Sequence, residues 1–401
     1  MSPLSSKTPE WPRLRTRCRL SAVYLLLLSC ATPAFAQFEL PKREDFKNWF
    51  KKKDDVLQET TQAPTGPGGM CILPSGDYVI SCHQFFHPTF RVMRLDRKNG
   101  WLPFPNEAMN TSGSGASVIL DSVLGIACDP KGIVWMLDNG RRSDTPPKLV
   151  AWDSKRDELH QVIVINNQSL TSRSFLRNLV LDPAAPYIYI SDPADGISSA
   201  IIVVNTQTGL TRRVLQGHRS TQMEPSIVLQ LDGRSITVRR PDGEVATPLT
   251  GVSPIAVDRR GEYLYYGPRN GSSLFRIKTE LLRREDLATQ ALESQVDGVS
   301  PKPIADSMVM DSRGNIYFGD ISRGSIDYVF PEDNYLELRL LIQDPRIIWP
   351  GGLIMGPDGQ LHFFSSQLHR TPFFNGGKDV TAPPFSLFKT RPLPGNRFRP
   401  F

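Results

Sequence analysis

Apolar residues along this chain come in paired short runs separated by turns. In GIACDPKGIVWMLDNG (125–140) a short apolar run leads into Asp129-Pro130, and a second run ends abruptly at Asp138-Asn139. The same plan recurs in GGMCILPSGDYVISCHQ (68–84), RNLVLDPAAPYIYISDP (177–193), SPIAVDRRGEYLYYGPR (253–269), DSMVMDSRGNIYFGDIS (306–322) and GGLIMGPDGQLHFFSSQ (351–367). Each has an apolar strand, a turn containing Gly or Pro, and a second strand rich in Tyr, Phe, Ile or Val, which is the signature of a β-hairpin.

The turn-flanking positions Leu73, Asp129, Asp182, Asp258, Asp311 and Gly356 stand 45 to 76 residues apart. That period belongs to propeller blades of four strands each. FRVMRLD (90–96), KLVAWDS (148–154), AIIVVNT (200–206), SLFRIKT (273–279) and SIDYVFP (325–331) supply outer strands, and FSLFK near the C-terminus supplies one that closes the ring. The longest gap contains VLQLDGRSITVRR (228–240), read as an extra strand pair within its blade. The predicted fold is all-β, a six-bladed β-propeller at 65–390, preceded by an extension at 37–64 and followed by a Pro/Arg-rich tail at 391–401. Within the extension, FKNWFKKKDDVLQ reads as a short amphipathic helix on the rim.

Composition adds an address. Arg13, Arg15, Arg17 and Arg19 precede the apolar run LSAVYLLLLSCA, which meets Ala34-Phe35-Ala36, the three-part pattern of a secretory signal at 1–36. The apolar run is short for a membrane span. A retained anchor and lipidation at Cys30 are the alternatives. The expected location is secreted or extracellular, periplasmic in a Gram-negative host, with no stable membrane span after processing. Removal of 1–36 takes Lys7 and four Arg against Glu10, so a formal charge of +6 becomes +2. No basic stripe interleaved with aromatics is present, so no nucleic-acid partner is expected. Cys71, Cys82 and Cys128 remain; Cys71 and Cys82 could pair across the hairpin turning at PSGD, one residue of register deciding the matter.

The segments HQFFHPTFRVMRLDRKNGWLPFPNEAMN (83–110), GIVWMLDNG with PPKLVAWD (132–153), SFLRNLVLDPAAPYIYISDPADGISSAIIVVNTQTG (174–209), YLYYGPRNGSSLFRIKTELLRRED (263–286) and WPGGLIMGPDGQLHFFSSQL (349–368) resemble, in order, the major royal jelly protein and yellow family. The bacterial style of the signal pattern and the low cysteine count suggest one of the microbial members described as dopachrome-tautomerase-related, and the chain lacks the cysteine pattern of typical insect members. The resemblance implies a secreted six-bladed propeller. It implies function loosely, because the family includes proposed pigment-pathway isomerases, binders of small aromatic amines and storage proteins.

Hairpins arranged radially bring the residue before each first strand and the residue after each second strand to one face. The first set is Gly68, Leu124, Arg177, Ser253, Asp306 and Gly351, followed one residue on by Gly69, Gly125, Asn178, Pro254, Ser307 and Gly352; the second set is His83, Asp138, Asp192, Arg269, Asp320 and Gln367. The candidate ligand-binding residues are therefore Arg177, Asn178, Ser253, Asp306, Ser307, His83, Asp138, Asp192, Arg269 and Asp320, with Asp306 and Arg177 as candidates for any catalysis. Arg holds a carboxylate or enolised oxygen, and Asp receives an ammonium or moves a proton. A monomer binding a small aromatic or amine-bearing molecule is expected, with dopachrome-type isomerisation as its candidate chemistry and a non-catalytic scaffold as the rival. Gluconolactonase-type propellers hold a divalent metal with a Glu, two Asn and an Asp at comparable strand starts. Here Gly68 or Gly69 and Ser253 stand at two of those positions, so no metal or cofactor is expected and a metal-dependent lactonase is the third reading. No HExxH or GxSxG occurs. The turn residues Asp129, Asp182, Asp258 and Asp311 read as structural Asx turns.

Overall fold

The computed structural model describes residues 56–239, 243–248 and 250–393. The signal pattern at 1–36, Cys30 and the tail from 394 onward lie outside the described residues. Each sequence hairpin forms the two inner strands of a four-stranded antiparallel blade. Blade 1 runs Pro67–Ile72, Tyr78–Cys82, Val92–Asp96 and Gly100–Pro103; blade 2 runs Val123–Cys128, Ile133–Asp138, Lys148–Asp153 and Glu158–Val164. Blade 3 runs Leu179–Leu181, Tyr187–Asp192, Ala200–Asn205 and Thr211–Val214; blade 4 runs Val252–Val257, Tyr263–Pro268, Ser273–Lys278 and Asp297–Pro301; blade 5 runs Ala305–Met310, Ile316–Asp320, Ser325–Val329 and Arg339–Gln343.

Blade 6 is assembled from both ends of the described chain. Pro350–Met355, Leu361–Ser365 and Phe385–Thr390 are completed by Leu57–Ala63, which pairs antiparallel with Phe385–Thr390. The propeller thus begins at 57, not 65. The end of the stretch read as a rim helix, Leu57 and Gln58, opens this strand, while its residues up to 55 lie outside the described residues. Leu57 packs against Phe363 and Phe388, so hydrophobic burial as well as the ladder closes the ring.

The core is divided among six interfaces between neighbouring blades. Val79 and Val92 meet Val123, Met136 and Trp152; Leu137 and Leu149 meet Leu179 and Ile190; the pattern continues round to Phe364 and Leu387 against Met70 and Ile80. A central strand buried on both sides needs apolar residues at consecutive positions, which is why Ile133–Asp138 is buried throughout and shows no alternation.

Two local features shape the axis. Inner-strand pairing slips by one residue in five blades, between Pro67 and Gly69, Val123 and Ile126, Val252 and Ile255, Ala305 and Met308, and Gly351 and Ile354. Such bulges re-aim side chains, and here Ser253 and Asp306 occupy the slipped positions. Close approach of neighbouring backbones demands glycine: a Cβ on Gly69 would lie 2.4 Å from the Leu124 carbonyl oxygen, and one on Gly125 would lie 2.9 Å from that of Arg177.

The register puts Cys71 opposite Val79 and Cys82 opposite Pro67, so these two thiols are not cross-strand partners; all three described cysteines are free. The 228–240 insertion also differs from its sequence reading. Gln230–Leu231 with Arg234–Ser235, and Val238–Arg239 with Val245–Ala246, form two separate ribbons outside the sheet of blade 3. Leu229 and Ile236 pack with Ile321, Trp349, Leu368 and Phe374, on loops of blades 5 and 6. Gly69→Ala is expected to destabilise the fold by about 1–3 kcal/mol, the usual cost of forcing an atom into a packed interior; urea denaturation midpoints that match wild type would show that the blades have room to move apart.

Candidate functional site

The bulges and strand ends bring residues from five blades to one cluster on the axis. Asp306 Oδ2 lies 3.1 Å from Arg177 Nη2 and accepts a hydrogen bond from Trp349 Nε1 at 2.8 Å. Its Oδ1 accepts from Ser253 Oγ at 3.1 Å and lies 3.5 Å from Arg269 Nη1. Asn178 Nδ2 donates to the carbonyls of Ser253 and Asp306, each at 2.8 Å. Arg177 Nη1 comes within 3.3 Å of His83 Nε2. Burial by itself would raise the Asp306 carboxyl, but the two guanidiniums and the bonds from Trp349 and Ser253 outweigh it and hold the group below the ordinary carboxylate range.

This cluster fills the axis where the sequence suggested an open pocket. Asp306 is 2% exposed and both its oxygens accept hydrogen bonds from neighbouring blades, so it is buried among donors and poorly placed to take a proton from a substrate. The arrangement also does not fit a hard cation: Asp306 is the one carboxylate on these inner positions, and among the described residues no group of three or more His, Cys, Asp or Glu is placed to hold an ion.

Of the ten candidates, Arg177, Asn178, Ser253, Asp306, His83 and Arg269 meet here. Ser307 borders them, lining a void of about 10 Å³ with Arg177, Asn178, Asp306 and Trp349, and the three aspartates lie elsewhere. Ser307 Oγ accepts from the Leu353 amide and so ties blade 5 to blade 6. Asp138 accepts from the amides of Asp121 and Ser122 and from Lys148 Nζ, each at 2.8 Å. Asp192 binds the Phe175 amide and the Arg213 guanidinium, and Asp320 binds the Ser322 amide and Arg323. These three aspartates stitch each blade to its own loops, and burial without a ligand-facing surface is the price of that role.

Cavities lie on either side of the cluster. On the turn side, about 760 Å³ is lined by inner-strand residues of every blade, among them Met70, Cys128 and Met310. On the loop side, about 750 Å³ is lined by His83, Phe85, Arg141, Arg173, Phe175, Arg177, Arg269, Phe373 and Phe374, with Val238 and Pro248 of the insertion forming part of the wall. Phe85 stacks on Phe373 with centroids 4.1 Å apart and an interplanar angle of 20°. Asp232 anchors the insertion to blade 6 through His369 Nε2 at 2.9 Å, and the His369 ring lies parallel to Trp349.

The sequence pattern of the major royal jelly proteins matches residues 121–380, nearly two-thirds of the chain. The chain belongs to the major royal jelly protein family. No curated protein is a match. Among solved structures it is similar to a luciferin-regenerating enzyme (9% identity, TM-score 0.50, covering 84% of this chain and 95% of that one). It is also similar to a gluconolactonase from Xanthomonas campestris (12%, 0.49, 84% and 92%) and to virginiamycin B lyase from Staphylococcus aureus (15%, 0.46, 83% and 98%). At these identities the likeness is one of fold alone.

In this royal-jelly-family propeller the aromatic wall escaped sequence reasoning, because it sits on irregular segments with no periodicity. A signal was present: Phe85-Phe86 and Phe373-Phe374 are paired aromatics just beyond the second strands of blades 1 and 6. Trp349 likewise stands immediately before the inner strand of blade 6.

Beside the cluster, Lys302 is buried and donates to the carbonyls of Gly271 and Pro303 at 2.7 and 2.8 Å. Burial pushes its ammonium down to about 7, against the opposing pull of Glu224, Asp320 and Asp306. An unfolded lysine keeps its proton to about pH 10.4. Between about pH 7 and pH 10 the unfolded chain therefore holds a proton that the folded chain has released, and stability rises with pH in that window. Lys302→Met is expected to flatten this rise in urea-denaturation curves; a slope equal to wild type would show that Lys302 stays charged.

Proposed function

We propose that this protein is an exported, monomeric propeller whose loop-side cavity binds a small aromatic molecule without transforming it. The observation that carries the reading is the wall of Phe85, Phe175, Phe373 and Phe374 facing His83, Arg177 and Arg269 within one cavity of about 750 Å³, a size and composition suited to a small ligand. Stacked rings offer a flat apolar surface, and the polar wall opposite fixes orientation. The choice of binding over dopachrome-type isomerisation rests on Asp306, whose oxygens are both engaged, and on His83. Burial and the neighbouring Arg177 push that imidazole well below its ordinary range, leaving it a weak base.

Phe373 is 47% exposed and can be truncated without opening the core. Indole titrated into the protein by calorimetry is expected to bind saturably, and Phe373→Ala is expected to weaken that binding by roughly 2- to 10-fold, the worth of one aromatic pair. Affinity unchanged by the substitution would remove the cavity from consideration. Dopachrome mixed with the protein should lose its absorbance no faster than in buffer alone, and catalysed loss would overturn the non-catalytic assignment.

A further inference from the structure

The loop-side wall carries more positive charge, and more hydrogen-bond donors, than its described neighbours can absorb. Arg177 and Arg269, whose side chains are 9% and 6% exposed, share the single carboxylate of Asp306. Buried charges ordinarily come paired, yet this cluster holds two guanidiniums against one carboxylate. Arg177 Nε is buried and has no acceptor. His83 adds to the excess: its Nδ1 lies 3.2 Å from the Phe85 amide and its Nε2 lies 3.3 Å from Arg177 Nη1. Both neighbours are donors, and a neutral imidazole has one accepting nitrogen, so one N–H is left over.

The rim repeats the imbalance. Arg141 spends its guanidinium on the carbonyls of Ser172 and Ser174, which carry no charge. Arg173 is exposed, with Asp195 4.0 Å away. The four arginines that line this cavity thus have two carboxylates between them, Asp195 in the lining and Asp306 behind Arg177 and Arg269. A low-dielectric wall of phenylalanines strengthens the field of these charges inside the cavity.

We propose that the ligand of this cavity is an aromatic carboxylate, its ring against Phe85 and Phe373 and its carboxylate against Arg177 and Arg269. This rests on the reading of the cavity as an aromatic site and narrows it: an amine would bring a second cation to a wall that already has too many, whereas a carboxylate brings acceptors for the orphaned donors. A guanidinium offers paired N–H groups that match a carboxylate.

Three probes with one ring separate the possibilities: indole-3-acetate, indole and tryptamine, each titrated calorimetrically at low and high salt. Indole-3-acetate is expected to bind at least about tenfold more tightly than indole, as charge-assisted pairing allows, with the advantage shrinking as salt rises, and tryptamine more weakly than indole. Tryptamine equal to or tighter than indole-3-acetate would overturn the carboxylate while leaving the aromatic site standing, and so would equal affinity for all three. If none binds, the aromatic reading falls and the carboxylate with it. Arg177→Gln should bring the ratio of indole-3-acetate to indole affinity close to one. Should that buried substitution unfold the protein, as judged by circular dichroism, the exposed Arg141→Gln, Arg173→Gln pair should reduce the same ratio and its salt dependence; an unchanged ratio overturns the proposal.

Discussion

The Asp306 carboxylate holds the centre of this molecule together. Its two oxygens receive Arg177 from blade 3, Ser253 and Arg269 from blade 4, and Trp349 from the threshold of blade 6. Through Arg177 the contact extends to His83 of blade 1. A propeller's inner strands converge on an axis where they would otherwise leave a polar-walled channel, and one buried anion ringed by donors closes that channel and fixes the blades' relative positions. Removing one partner from such a buried set costs about 3–5 kcal/mol because the remaining charge is stranded. The same constraint disqualifies Asp306 from acid–base work: a carboxylate committed to four donors is a keystone.

From this keystone follows the partition of the channel into two cavities, and with it the difference between them. The turn-side cavity is walled by inner strands and by the hairpin turns of blades 2 and 3. The loop-side cavity collects whatever the blades' loops carry: Phe85 of blade 1, Phe175 of blade 3, Phe373 and Phe374 of blade 6, the arginines of blades 2, 3 and 4, and the insertion held by Asp232 and His369. Variation in loops over a fixed sheet framework is how this architecture acquires different ligands, which is why the family and the fold neighbours leave the ligand to be argued from these side chains.

The six-fold repeat could mislead as well as inform. Asp138, Asp192, Asp320, His83 and Arg269 occupy equivalent places in their hairpins, yet the three aspartates turn back to cap the amides of their own loops while His83 and Arg269 reach the axis. The short carboxylates accept from amides two residues further on, as Asp138 does from Gly140, Asp192 from Ala194 and Asp320 from Ser322. His83 also accepts from an amide two residues on, that of Phe85, but its ring is long enough to reach Arg177 with the other nitrogen, and Arg269 extends to Asp306. Asp306 reaches the axis because it sits in a bulge at the start of its strand, a one-residue slip that no hydrophobic pattern records.

Local pairing made the fold legible. A hairpin's two strands lie a few residues apart, so its alternation of apolar run and turn is written contiguously, and six copies at blade spacing specify the propeller. Arg177, Asn178 and Asp306 were legible too, as positions counted back from each turn. What the tertiary structure decided are contacts between distant parts of the chain: Arg177 with Asp306 across 129 residues, Thr60 with Leu387 across 327, and Leu229 and Ile236 of the insertion packed in one cluster with Trp349. Such contacts depend on ring closure and on the bulges that aim each side chain, and closure is a property of all six blades at once.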